Sequence, residues 1–186
     1  MSRIPAVNPE AAPADAQPLV AAVKAKLGVV PNITRVLANA PAALKGYLNF
    51  SEALSGASLD AKTREAVALT VAGANSCEYC ASAHSFISKS LKVDDAEIRL
   101  RLKGKSGEAK TQAVLTLARA IVDKRGFVSD ADLAAARAAG LDDRALTEIV
   151  AVVALNIFTN YLNHVAGTDI DFPKVSLAAK GPLSPS

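Results

Sequence analysis

The sequence predicts an all-α protein built as one domain, a multi-helix bundle. Three observations carry this reading. Apolar residues recur at three- and four-residue spacing along most of the chain, and no segment of useful length alternates with a period of two. Proline, glycine and short polar residues fall where such segments should start and stop. Alanine is abundant while aromatics make up only 4% of 186 residues, and small side chains favour closely packed helices over a sheet sandwich. A chain of this length can bury a real core.

Taken in order, residues 1–17 read as an extended Pro/Ala-rich arm. Pro5, Pro9, Pro13 and Pro18 are spaced too closely for a helix to survive between them. A single helical domain follows over 18–167. A short helix runs from Pro18 to Leu27 and stops at Gly28, and a turn at Pro31-Asn32 leads into a helical piece ending at Ala38. Pro41 suits the first turn of the next helix, which carries Leu44, Tyr47, Leu48, Phe50 and Leu54 and ends near Gly56. The fourth helix starts near Asp60 and ends around Gly73; Asn75-Ser76 is a turn-and-cap signal, and the fifth runs from Cys77 to about Leu91.

Asp94 or Asp95 starts a sixth helix that breaks at Gly104. Ser106 is the expected cap of a seventh reaching Lys124. Ser129 and Asp132 resemble a capping box for an eighth that ends at Gly140. Asp142 or Asp143 caps the last helix, which ends at Gly167. Residues 168–186, with Pro173, Pro182 and Pro185, read as an irregular tail able to cross onto a neighbouring subunit.

Composition narrows the function classes. The net charge of +3 comes from 21 basic and 18 acidic residues scattered together, without a basic block or a basic–aromatic stripe, so nucleic-acid binding has no support. The N-terminus lacks the apolar region of a secretory signal. The longest charge-free run, Ile149 to Thr168, carries Asn156, Thr159, Asn160, Asn163 and His164, which is too polar for a bilayer span. It reads as a helix buried in the core or in a subunit interface. The expectation is a soluble, cytoplasmic protein. In such a chain two cysteines at CxxC spacing suggest a redox pair or part of a metal site, not a secreted disulfide scaffold.

The chemistry concentrates in residues 60–91. Both cysteines, Cys77 and Cys80, lie there with His84, one of two histidines, and with Glu65 in an otherwise apolar run. Cys77, Cys80 and His84 share one helix face. One turn apart, the cysteines bring their Cα atoms roughly 5–6 Å from each other, inside the range of a disulfide. The helix N-terminus favours a thiolate, the reactive form, and by this measure Cys77 at the very end gains more. His84, four residues beyond Cys80, tilts its ring back toward that sulfur.

Glu65 faces Ala61, Ala68, Ala72 and Leu69. A carboxylate buried on such a face is costly unless paired, its pKa tends to rise, and it then becomes a usable general base. The short Gly73–Ser76 connection makes the two helices antiparallel neighbours, so Glu65 can approach the cysteines. The bland readings are half a zinc site, two core cysteines, and an ion pair of Glu65 with Arg64, Lys62 or a basic residue elsewhere. His164 reads as structural or as an interface residue, and Phe50, Phe86, Phe127 and Phe158 as core or interface. Tyr79, between the cysteines, could cover the site or offer its hydroxyl. These residues alone point to a dithiol redox site.

Glu65, Cys77, Cys80 and His84 at this spacing, within REAVALTVAGANSCEYCASAH, resemble the alkylhydroperoxidase D-like branch of the carboxymuconolactone decarboxylase family. LGVVPNITRVLANAPAALKGYLNFSEAL and VSDADLAAARAAGLDDRALTEIVAVVALNIFTNYLNHVAG resemble the flanking parts of its peroxidase-related members, so roughly residues 18–167 are covered. The resemblance implies an all-α fold, a homo-oligomer (trimer or hexamer), no cofactor, no resident metal, and reduction of hydroperoxides. It makes Cys80 the peroxidatic cysteine, Cys77 the resolving one, and Glu65 with His84 the proton relay. An external dithiol, such as a lipoyl-protein or a thioredoxin-like protein, would close the cycle. The best-known members carry a histidine between the cysteines where this chain has Tyr79. The decarboxylase branch lacks the cysteine pair, which disfavours a lactone decarboxylase.

Overall fold

The computed structural model describes residues 2–177. Among them are nine α-helices and no strand: α1 (Gln17–Leu27), α2 (Asn32–Leu37), α3 (Pro41–Ser55), α4 (Ala61–Ala74), α5 (Glu78–Ser90), α6 (Asp95–Arg101), α7 (Ala109–Asp123), α8 (Asp130–Ala138) and α9 (Asp143–Ala166). The polar caps act where the sequence places them. Asp60, Asp94 and Asp142 each accept the backbone N–H three residues on, at 2.7, 2.8 and 2.8 Å. Ser129 and Asp132 form both halves of a capping box.

Helix α4 is the centre of the molecule. Its residues from Ala66 to Ala72 are all buried, because alanines and valines on every side let α5, α7 and α9 approach at once. The main core joins Val67 and Val71 of α4 to Val114, Leu115 and Ala118 of α7 and to Ile149, Val152 and Val153 of α9. A second cluster seats α1 and α3 around Leu37 and Leu44. A third lies around the cysteines, with Ala72, Cys77, Tyr79, Cys80 and Ala81.

Three expectations change. The arm is not extended throughout: Asn8 caps a short 3-10 turn at Pro9–Ala11, Ala12 and Ala16 are buried, and the Arg3 and Ile4 amides donate to the Ala166 carbonyl at 2.6 and 3.2 Å. Ser106 does not cap α7, which Glu108 begins; its hydroxyl instead donates to Glu97 at 2.6 Å. Helix α4 ends one residue past Gly73, as expected, and a Cβ on Gly73 would come within 1.9 Å of the Leu102 carbonyl oxygen.

The third change concerns the tail. As far as Leu177 it folds back along α5 of its own chain. The Val175 amide donates to Ser82 Oγ at 2.9 Å, Leu177 N–H donates to Glu78 at 3.2 Å, and Lys174 pairs with Glu78 at 3.3 Å. Residues 178–186 of the expected tail lie outside the described residues. Among the described helices only α9 is long and apolar enough to pass as a membrane span, with a mean hydropathy of 1.6. Its asparagines are nevertheless turned into the protein.

Candidate active site

The site is assembled where α4 turns into α5 and the C-terminal half of α9 crosses that turn. Ser76 takes a left-handed φ of 56°, which swings the chain round so that Cys77 becomes the N-cap of α5. Cys77 Sγ accepts the Cys80 amide at 3.4 Å, a bond usually made by Ser or Asp. Both cysteines are reduced and buried, at 1% and 2% exposure.

Burial alone disfavours a thiolate. Here the polar face of α9 opposes it. Asn156, Thr159, Asn160 and Asn163 recur at i, i+3, i+4 and i+7, so they line one stripe. Asn163 Nδ2 donates to Cys80 Sγ at 3.3 Å. Asn75 Nδ2 donates to Asn160 at 3.0 Å and His164 bonds the Asn75 carbonyl at 3.0 Å, which fastens α9 to the turn. The two thiols then divide their roles. A hydrogen bond from Cys77, followed by that from Asn163 and by the polar side chains of Asn160 and Thr159, draws the Cys80 pKa below its ordinary value against the effect of burial. Cys77 moves the other way, held up by that same bond, by burial and by the charge of Cys80.

The acid–base pair comes from facing helices. His84 Nδ1 and Glu65 Oε2 are 2.8 Å apart, with side chains 21% and 18% exposed. Burial pulls the His84 pKa down, but the Glu65 charge and hydrogen bond outweigh it, helped by the Asn156 side chain, and the net shift is upward. Arg64, the other candidate partner of Glu65, donates instead to the Leu59 carbonyl.

Two cavities meet here. One of about 580 Å³ opens under α1 and α3, with largely apolar walls that include Leu19, Val23, Phe86 and Phe172; Cys80 and His84 line its floor. A smaller one of about 120 Å³ lies on the Glu65 side and is lined by Glu65, Arg64, Asn156 and His84.

Comparison with known proteins agrees with this architecture. Residues 41–104 match the carboxymuconolactone decarboxylase family. An alkylhydroperoxidase AhpD core structure, an uncharacterized peroxidase-related protein from Ralstonia eutropha JMP134, superposes with a TM-score of 0.82 at 25% identity, over 91% of this chain and 92% of that one. The chain has the alkylhydroperoxidase D-like fold. A peroxidase-related protein from Silicibacter sp. TM1040 has the same fold at 22% identity, with a TM-score of 0.78 over 89% of this chain and 88% of that one. So does the debrominase Bmp8, seen as a cysteine-to-alanine variant with 2,3,4-tribromopyrrole, at 18% identity and a TM-score of 0.75 over 91% of each chain. No curated protein matches the chain.

On this alkylhydroperoxidase D-like scaffold, Cys77, Cys80, His84 and Glu65 converge. The expected contact of His84 with Cys80 is not a direct bond: among the described residues no hydrogen bond joins them, because Glu65 holds the ring. Tyr79 covers the site with its ring, stacked edge-on against Phe172 at 5.8 Å, while its hydroxyl accepts the Ile33 amide at 3.1 Å. His164 is a structural clasp. None of Phe50, Phe86, Phe127 and Phe158 is core within one chain, their exposures running from 39% to 88%. Among the described residues no cluster of three or more His, Cys, Asp or Glu is arranged to hold a metal ion. The residues that sequence reasoning missed are the α9 asparagines, whose helical spacing was the available signal.

Proposed function

We propose that the protein is a cofactor-free, two-cysteine peroxidase that reduces organic hydroperoxides or hydrogen peroxide. The observation that carries this reading is the division of labour between the thiols. Cys80, at the cavity floor, is stabilised as a thiolate by Cys77 and Asn163, while Cys77 keeps its proton. The Cys80 thiolate attacks the terminal oxygen of ROOH. An S–O bond forms, the O–O bond breaks, and RO⁻ leaves to be protonated through the Glu65–His84 pair. The sulfenic acid on Cys80 then condenses with the Cys77 thiol, releasing water and forming a disulfide. An external dithiol, a lipoyl-protein or a thioredoxin-like protein, reduces it by exchange. Assembly into a trimer or hexamer belongs to the same reading.

Peroxide consumption with a dihydrolipoyl donor tests it. Wild-type protein should turn over, and Cys80→Ser should not. In Cys77→Ser, a dimedone-type reagent should label Cys80 after peroxide; a label found only on Cys77, in Cys80→Ser, would reverse the roles. A thiol–disulfide oxidoreductase, or a redox-sensing oligomer that oxidises once without cycling, would fail on peroxide turnover. Reductive debromination is a second reading. It is favoured by the likeness to the debrominase and by a cavity with aromatic walls, and bromide release from a brominated pyrrole would establish it.

A further inference from the structure

A proton has to cross from the Glu65–His84 pair to the oxygen leaving at Cys80, yet His84 is bonded to Glu65 and not to Cys80. Four residues line both cavities and so stand between the two halves of the site: Tyr47, Ser51, His84 and Thr159. Thr159 already donates its hydroxyl to the Asn156 carbonyl at 3.0 Å. Tyr79, the phenol that the sequence puts between the cysteines, is held by the Ile33 amide. Among the described residues nothing hydrogen-bonds the hydroxyls of Tyr47 and Ser51. Of the two, the phenol reaches farther and is the better acid.

We infer that Tyr47 is a further catalytic residue, the phenol that hands a proton from the Glu65–His84 pair to the oxygen expelled by Cys80. The inference rests on the peroxidase reading. Burial, and after it the charges of Cys80 and Glu65, push the Tyr47 pKa to about 12. The hydroxyl therefore lies within the field of both partners and keeps its proton at neutral pH. It is still far more acidic than an alcohol, so transfer to an alkoxide runs downhill. In the step, the Cys80 sulfur bonds to the terminal oxygen of ROOH and the O–O bond breaks. The proton of Tyr47 goes to RO⁻ to give ROH, and His84 replaces it. A donor placed beside developing negative charge is a recurrent source of rate enhancement.

The test is Tyr47→Phe, which keeps the ring and its packing. Single-turnover oxidation of the reduced protein is followed by thiol loss with two oxidants. tert-Butyl hydroperoxide expels an alkoxide that needs a proton, and peracetic acid expels a carboxylate that does not. The expected result is a loss of about 10²-fold with the hydroperoxide, the scale of a general-acid contribution, and a peracid rate near wild type. Equal losses with both oxidants, no loss with either, or the same selective loss in Tyr79→Phe would overturn the assignment. A wild-type protein inert to both oxidants would instead overturn the peroxidase reading beneath it.

Discussion

Cys80 is a buried thiol kept acidic by its neighbours, and its dependence on them can be measured. Asn163→Ala removes the amide that donates to its sulfur at 3.3 Å. A hydrogen bond to a charged group is worth about 1.5–3 kcal/mol, so the first thiol titration should rise by about one unit or more. Thiolate ultraviolet absorbance against pH checks it, and an unmoved titration would show that Asn163 only packs. The Glu65–His84 pair makes a second claim. The His84 pKa is raised on folding, so its stabilising contribution is complete below the unfolded histidine value and fades as pH rises through the folded one. The stability gap between wild type and Glu65→Gln should therefore be widest on the acid side of the ordinary histidine range and narrow above it, as read from denaturant midpoints. Glu65, Cys77, Cys80 and His84 were legible in the sequence because they fall within twenty residues on two adjoining helices. Asn163 was not: it lies 83 positions from Cys80, and polar residues in an apolar helix read equally well as an interface.

At the scale of elements, the site depends on how closely α4 is gripped and on what lies over α5. Gly73→Ala would drive a methyl group into the Leu102 carbonyl, a backbone atom that cannot swing away. A loss of about 3 kcal/mol, the upper end of overpacking costs, is expected in chemical denaturation; a neutral effect would mean that the segment after α6 yields. The strap at residues 168–177 makes the other claim. Phe172 stacks on Tyr79, and Ile170, Val175 and Leu177 pack over the cysteine cluster. Phe172→Ala should speed alkylation of the reduced cysteines about tenfold, the factor that a ~1.4 kcal/mol cheaper local opening brings. Caps and periodicity made the helices readable because they are local signals. Gly73 read correctly as the end of α4, but its close approach to Leu102 is a tertiary contact that the sequence does not carry. The tail read as irregular because it carries no periodic face, and its anchors on Ser82 and Glu78 are formed only in the fold.

At the scale of the whole molecule, α9 has two working faces. Its polar stripe surrounds Cys80. Around the helix, Val150, Phe158, Tyr161 and Val165 stand 51%, 42%, 56% and 60% exposed at positions i, i+8, i+11 and i+15, which is a second stripe. Exposed apolar rows of this kind mark interaction surfaces, and the charge-free stretch that suggested an interface in the sequence is the same helix. Self-association through this row is the expected outcome. Phe158→Glu with Tyr161→Glu should convert the assembly to single chains in sedimentation experiments without loss of helicity, since both side chains already face outward. If the wild-type protein itself sediments as one chain, the row serves something else. The two faces also separate assembly from chemistry. Glu65, Cys77, Cys80, His84 and Asn163 meet within one chain. The dissociated variant should keep single-turnover oxidation by peroxide close to wild type. A loss parallel to that of Asn163→Ala would instead mean that packing on the outer face of α9 is what holds its inner face against the thiolate.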